Sequence, residues 1–283
     1  MAEKIAVIND LSGFGKCSLT AAIPVISVMG VQPCPLPTAI LSAQTGYDSY
    51  YLDDYTEKME DIRREWERMG ACFEGIYTGF MAGEKQIEQV FDFLETFRRK
   101  ETFLLVDPIM GDDGARYDMF TEGLLGQMKE LVRQADIVTP NLTELCLIAD
   151  ADYETVCGLP ADLKVQVIRQ MAESLLRQGV KTVIVTGIHF ANETGKRIGN
   201  LALSGKECRM IDFPYIGRSF SGTGDLFASV IAGGTARGDE LFGLCRLAGR
   251  FIEESMRDSA AAGVDSVGGT EFERHLAMLL PQD

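Results

Sequence analysis

Histidine is almost missing: the 283-residue chain has only His189 and His275. A Ser-His-Asp triad or a histidine-based zinc site therefore has next to no material. The seven cysteines are odd in number and form no C-x-x-C pair. Set mostly in apolar segments, they read as reduced core thiols and not as a disulfide framework. No Pro/Ser-rich linker, low-complexity run or internal repeat divides the chain, so a single domain over residues 1–283 is expected. No apolar run approaches the ~18 residues of a membrane-spanning helix. The N-terminus leads directly into a strand, so no signal peptide and a cytoplasmic location are expected. Positive charge is also short, with 27 Lys+Arg against 42 Asp+Glu and a net charge of −15 spread without a block. That excess disfavours nucleic acid and anionic membrane surfaces as partners. An anionic nucleotide stays admissible if a metal ion and backbone N–H groups neutralise it locally.

What the chain does have is Ser219-Phe220-Ser221-Gly222-Thr223-Gly224-Asp225, followed by an apolar run with helical spacing to about Ala236. Glycines permit backbone angles that let consecutive N–H groups converge, and a helix start adds unpaired N–H groups and a positive dipole end. Together these make an anion site suited to phosphate. A carboxylate at Asp225 fits poorly there unless it has work to do, such as accepting a proton from an attacking hydroxyl. The same residues also read as an ordinary helix start with Thr223 as N-cap.

Strand and helix patterns alternate along the chain. Apolar runs at Lys4–Ile8, Leu36–Leu41, Phe73–Thr78, Phe103–Val106, Asp136–Val138 and Thr182–Gly187 read as buried strands. Amphipathic helices are expected over 54–69, 84–99 and 163–178, a helix to about Met29 containing Pro24, and last helices over 239–256 and 270–280. Residues 198–203 and 207–213 alternate as a hairpin around Ser204-Gly205-Lys206. The implied fold class is α/β, a three-layer α/β/α sandwich around a mostly parallel sheet. Polar groups collect at strand ends: Asp10, Thr45, Asp107, Asn141 with Glu144, and Thr186. In such sheets that edge holds ligands. The acids Asp107, Asp112 and Asp113 suit a hydrated Mg²⁺, or a solvated turn. Asn141 and Glu144 have capping-box spacing, which is a structural reading for both. Ser42 to Tyr47 reads as a grip for a small polar ring or as a surface loop. Gly13-Phe14-Gly15-Lys16-Cys17-Ser18 fails both the P-loop and the dinucleotide fingerprint, which disfavours a dehydrogenase.

These residues resemble the ribokinase-like superfamily, and within it the pyridoxal/pyridoxine/pyridoxamine kinases. The likeness runs from about Ile5 to Ala236. It rests on Asp107-Pro108-Ile109-Met110-Gly111-Asp112, Thr139-Pro140-Asn141 with Glu144, Gly222-Thr223-Gly224-Asp225, and Ser42-x-x-Thr45-Gly46-Tyr47. It implies ATP-dependent phosphorylation of the hydroxymethyl group of a B6 vitamer by a homodimer, with Mg²⁺ and a monovalent cation, K⁺ or Na⁺. Asp225 would be the base, with the Gly222, Thr223 and Gly224 backbone at the transferred phosphoryl. Asp10, Ser12, Gln44, Thr45, Gly46 and Phe80 would line the vitamer site. Asp107, Asp112, Thr139, Asn141, Glu144 and Thr186 would serve the nucleotide, with Asp107 and Glu144 holding the metal and residues 111–118 forming a flap. The chain departs from B6 kinases at Asn9-Asp10 and at Ala43-Gln44, which look more like hydroxymethylpyrimidine kinases. That family usually has cysteine where Asp225 stands. A non-catalytic nucleotide-binding regulator is the alternative from another class, and it would be expected to lose the acids that are present here.

Overall fold

The computed structural model describes residues 2–193 and 195–281. Met1, Thr194, Gln282 and Asp283 of the expected domain lie outside the described residues. In chain order the elements are β1 (Lys4–Phe14), α1 (Ser18–Val28), β2 (Gln32–Ala43), β3 (Leu52–Asp54), α2 (Thr56–Arg68), β4 (Gly75–Thr78), α3 (Glu84–Phe97) and β5 (Phe103–Val106). A small hairpin of β6 (Gly111–Asp112) and β7 (Ala115–Arg116) follows, then α4 (Glu122–Gln134), β8 (Ile137–Val138), α5 (Leu142–Ile148), α6 (Tyr153–Cys157) and α7 (Ala161–Arg177). β9 (Thr182–Asn192), β10 (Gly195–Ser204), β11 (Glu207–Pro214), α8 (Thr223–Arg237) and α9 (Leu241–Ala261) complete the regular elements, and a 3-10 turn (Ser266–Gly268) and a 3-10 segment (Phe272–Leu279) end the chain.

A nine-stranded sheet runs in the order β11-β10-β9-β8-β5-β4-β1-β2-β3. From β2 to β9 every pairing is parallel, and β3, β10 and β11 add antiparallel strands outside them. The central strands are covered on both faces, which is why they read as unbroken apolar runs. On one face Ala6, Ile8, Ile76, Leu104, Val106 and Val183 pack under α2, α3, α4, α5 and α7. On the other, Ile5, Val7, Tyr77, Leu105 and Ile184 pack under α1, α8, α9 and the 3-10 segment. Trp66, Phe73, Phe93 and Phe97 form an aromatic group under α2 and α3, with centroids 4.5–6.0 Å apart.

Several sequence expectations are corrected. β1 does not end at Ile8. It continues through Asn9, Asp10 and Ser12 to Phe14, with a bulge against β2 between Asn9 and Leu11. Those polar residues are buried inside the strand and not displayed in a turn, and a bulge is a usual device for re-aiming side chains. Pro24 sits within α1 without ending it, because Leu19, Ala21, Ala22, Val25 and Ile26 are all buried in the core. The chain after Thr270 forms a 3-10 segment, anchored at its ends by buried Phe272 and Leu279. β3, α4 and α6 were not expected from the sequence pattern. Residues 33, 35 and 37 of β2 are all proline. Gln32 N–H donates to Glu3 O, so the alternate positions face away from β1, on the edge where no ladder bond is lost.

Candidate active site

The bulge in β1, the ends of β2, β4, β5 and β8, and the start of α8 surround a cavity of about 510 Å³. α8 begins at Gly222, its N-cap, in left-handed geometry (φ 78, ψ 0). A Cβ there would lie 2.1 Å from Lys16 O, so only glycine fits. Thr223 is therefore inside the helix and not its cap, and its hydroxyl turns back to Phe220 O at 3.2 Å. The first bond within this turn is Leu226 N–H to Gly222 O, which leaves the N–H groups of Thr223 and Gly224 without intrahelical acceptors at the cavity wall.

Asp225 is buried beside them, and Asn9 Nδ2 donates to its Oδ1 at 3.2 Å. Burial pushes its carboxyl up to about 6, opposed by the Ser18 N–H, helped by the Asp10 charge and opposed again by Asn9. Burial and then the Asp225 charge push Asp107 up to about 7, against the Thr139 hydroxyl that donates to its Oδ1 at 2.7 Å. Glu144 is driven well above the usual carboxylate range by burial and by Asp107. Burial likewise raises Asp10, although the Ser18 and Ser12 hydroxyls act against it. Acids held near neutrality at one edge are a signature of functional sites.

The structure brings nearly all the expected residues together. Asp10, Ser12, Gln44, Thr45, Phe80, Asp107, Asp112, Thr139, Asn141, Glu144 and Thr186 line this one cavity together with Gly222 to Asp225. Five of the expected residues also bond within the protein. Ser12 Oγ donates to Asp10 Oδ2 at 2.8 Å, so it aims Asp10. The Gln44 amide is bonded within the protein, with Nε2 to Val267 O at 2.8 Å and Oε1 accepting from Gly46 N–H at 2.9 Å. Gly46 does not line the cavity; it holds Gln44. Asn141 and Glu144 form the expected capping box on α5. Asn141 Nδ2 also holds Gly111 O at 2.9 Å, and Glu144 Oε1 accepts from Met110 N–H at 3.2 Å, so both side chains fasten the β6–β7 hairpin. Asp113 and Gly114 both have positive φ at its tip, the geometry of a two-residue Asp-Gly hairpin.

A second cavity, of about 330 Å³, meets the first at Asp112, Asn141, Thr186, Thr223 and Gly224. Apolar and aromatic residues, Leu142, Tyr153, Ile198, Tyr215, Phe227, Ile252 and Met256, share its walls with Asp112, Asp113, Lys164, His189, Arg218 and Glu253. The sequence pattern did not point to this space, and it singled out Asn9 without a role in the site. The usable signal was the apolar Phe213-Pro214-Tyr215-Ile216 run leading from β11 toward Ser219.

Residues 17–270 match the phosphomethylpyrimidine kinase family. The chain belongs to that family. A Bacteroides thetaiotaomicron protein named as a phosphomethylpyrimidine kinase, crystallised with pyridoxal, shares 34% identity with it at a TM-score of 0.91, covering 100% of this chain and 98% of that one. A Bordetella avium pyridoxine/pyridoxal/pyridoxamine kinase is 24% identical over 276 residues, 95% of this chain and 86% of its own length. An Aquifex aeolicus hydroxymethylpyrimidine/phosphomethylpyrimidine kinase is 26% identical over 204 residues, 70% of this chain and 74% of its own. The chain is thus similar both to relatives named for a pyridine and to relatives named for a pyrimidine.

Proposed function

We propose that this kinase transfers the γ-phosphoryl group of ATP to the hydroxymethyl group of a B6 vitamer: pyridoxal, pyridoxine or pyridoxamine. The observation that carries the reading is the meeting of two cavities at the Thr223–Gly224 backbone, with buried Asp225 on the side lined by Asp10, Thr45 and Phe80. A flat ring on that side presents its hydroxymethyl group to Asp225. A nucleotide on the other side rests its base among Tyr215, Ile198 and Met256. The phosphoryl group then crosses at the helix start. Asp225 takes the hydroxyl proton as it attacks, and the Thr223 and Gly224 N–H groups receive the charge developing on the phosphoryl oxygens. Little else is asked of the protein than position and charge neutralisation.

The donor set fits Mg²⁺. Among the described residues lining the larger cavity there is no lysine or arginine, while Asp107, Asp112, Asp118 and Glu144 are all there. A polyphosphate in such a wall needs a cation between. Asp107 and Glu144 would hold it, each Glu144 oxygen accepting one main-chain N–H and keeping a lone pair for the ion or a bridging water. When bound, the ion supplies charge neutralisation for the phosphates. The single-domain organisation over 1–283, a homodimer, a monovalent cation and a cytoplasmic location are further proposals resting on the family resemblance. Among the described residues no helix is long and apolar enough to cross a membrane.

The pyrimidine is the second reading, favoured by the family match and by the Aquifex relative. The deciding assay follows ATP consumption with pyridoxal, pyridoxine, pyridoxamine and hydroxymethylpyrimidine side by side. We expect the highest kcat/KM with a B6 vitamer. Turnover of the pyrimidine alone would overturn the assignment.

A further inference from the structure

Asn9 is wholly buried, in the β1 bulge. Its side chain makes three bonds. Oδ1 accepts from Phe80 N–H at 2.8 Å and from Asp10 N–H at 3.0 Å, and Nδ2 donates to Asp225 Oδ1 at 3.2 Å. The first two fix which way the amide faces. Two main-chain donors demand the carbonyl oxygen on their side, so the NH₂ group must face the carboxylate. Gly79 makes room for this. A Cβ at Gly79 would stand 2.4 Å from Asn9 Nδ2 and 2.5 Å from its Cγ.

We propose that Asn9 is the positioning residue of the phosphoryl-transfer site: it sets the Asp225 carboxylate against the wall that holds the acceptor ring. Phe80 and Asp10 line the ring side of the cavity, and Asp225 is the base. One rigid amide therefore spans the acceptor wall and the group that must meet its hydroxyl. The Ser18 N–H also reaches this carboxylate, and Asn9 is the side chain that ties it to the acceptor wall; without that tie the carboxylate can turn about the Ser18 contact, and a misplacement of about 1 Å can cost about 10²-fold in rate. The residue type follows from the bonds. Aspartate at this position would keep both main-chain acceptors yet set a second carboxylate against Asp225. Leucine would satisfy none of the three. Only an amide accepts twice and donates once within this geometry.

This inference rests on the kinase reading, and the test separates the two. Wild type, Asn9→Asp and Gly79→Ala are compared in kcat, in KM for acceptor and for ATP, and in melting temperature. Asn9→Asp retains the bonds to Phe80 and Asp10, so the acceptor wall should survive. We expect kcat to fall about 10²-fold with both KM values within about two-fold, the pattern of an interaction felt only in the transition state. Gly79→Ala displaces the same amide from behind, at a residue that is not itself in the catalytic machinery, and should lower kcat in the same way. A kcat within about two-fold of wild type in both variants, or a loss that follows the folded fraction alone, would overturn the proposal. If the wild type phosphorylates the pyrimidine and not a B6 vitamer, the substrate reading fails, and the same comparison, run on the pyrimidine, still decides the role of Asn9.

Discussion

A carboxyl pushed up to about 6 by burial is ionised at neutral pH yet still basic enough to take a proton from an alcohol. Asp225 acts in its charged form, so turnover should fall as pH drops through about 6. A kcat–pH profile reads this directly; a profile flat down to pH 5 would remove Asp225 from the base role. Asp225→Asn should lower kcat by about 10² to 10⁴ while nucleotide binding, measured by calorimetry, is retained. The same shifts bear on stability. Asp107 and Asp225 have folded pKa values above those of unfolded carboxyls, so the metal-free folded state holds protons that the unfolded state has released. That contribution is complete below about pH 4 and disappears as pH rises through about 6 to 7. In chelator, the melting temperature should therefore decline across this window, and Asp107→Asn should flatten the decline.

At the scale of elements, the start of α8 depends on one left-handed residue. Gly222→Ala forces a Cβ against Lys16 O and strains φ, so the turn must move. We expect kcat to fall at least ten-fold with a modest loss of melting temperature, since the rest of α8 keeps its buried face. Asn141→Ala removes both an N-cap and the bond to Gly111, and should cost about 1–2 kcal/mol in chemical denaturation. Much of this architecture was legible. The buried strands announced themselves as apolar runs, β5 with the expected bounds Phe103–Val106, and the glycine turn with its acid pointed to the helix start. The end of β1 was not legible, because Asn9, Asp10 and Ser12 look like a turn until their partners are known. The Asn9–Asp225 bond closes over 216 residues, a separation no local pattern reports. Glu144 was legible only as an alternative between cap and metal holder, and the structure shows the cap.

For the whole molecule, net charge of −15 and the acids of the larger cavity oppose the approach of a nucleotide polyphosphate, against the local pull of Lys164 and Arg218 in the smaller one. Raising ionic strength from about 20 to 150 mM shortens the screening length to ~8 Å and should speed association of Mg·ATP, at fixed free Mg²⁺, rather than slow it. Stopped-flow binding distinguishes the two signs. The two rims of the sheet also differ in what they offer a neighbour. Along the outer side of β2, prolines at 33, 35 and 37 leave carbonyl oxygens but no N–H groups. A strand laid there would find acceptors alone and could form only half a ladder. β11 keeps its donors, apart from its terminal Pro214. Growth by strand addition is thus polar in direction: this sheet can be extended past β11 but is chemically terminated along the proline stretch of β2, which leaves the three-residue β3 as the edge on that side.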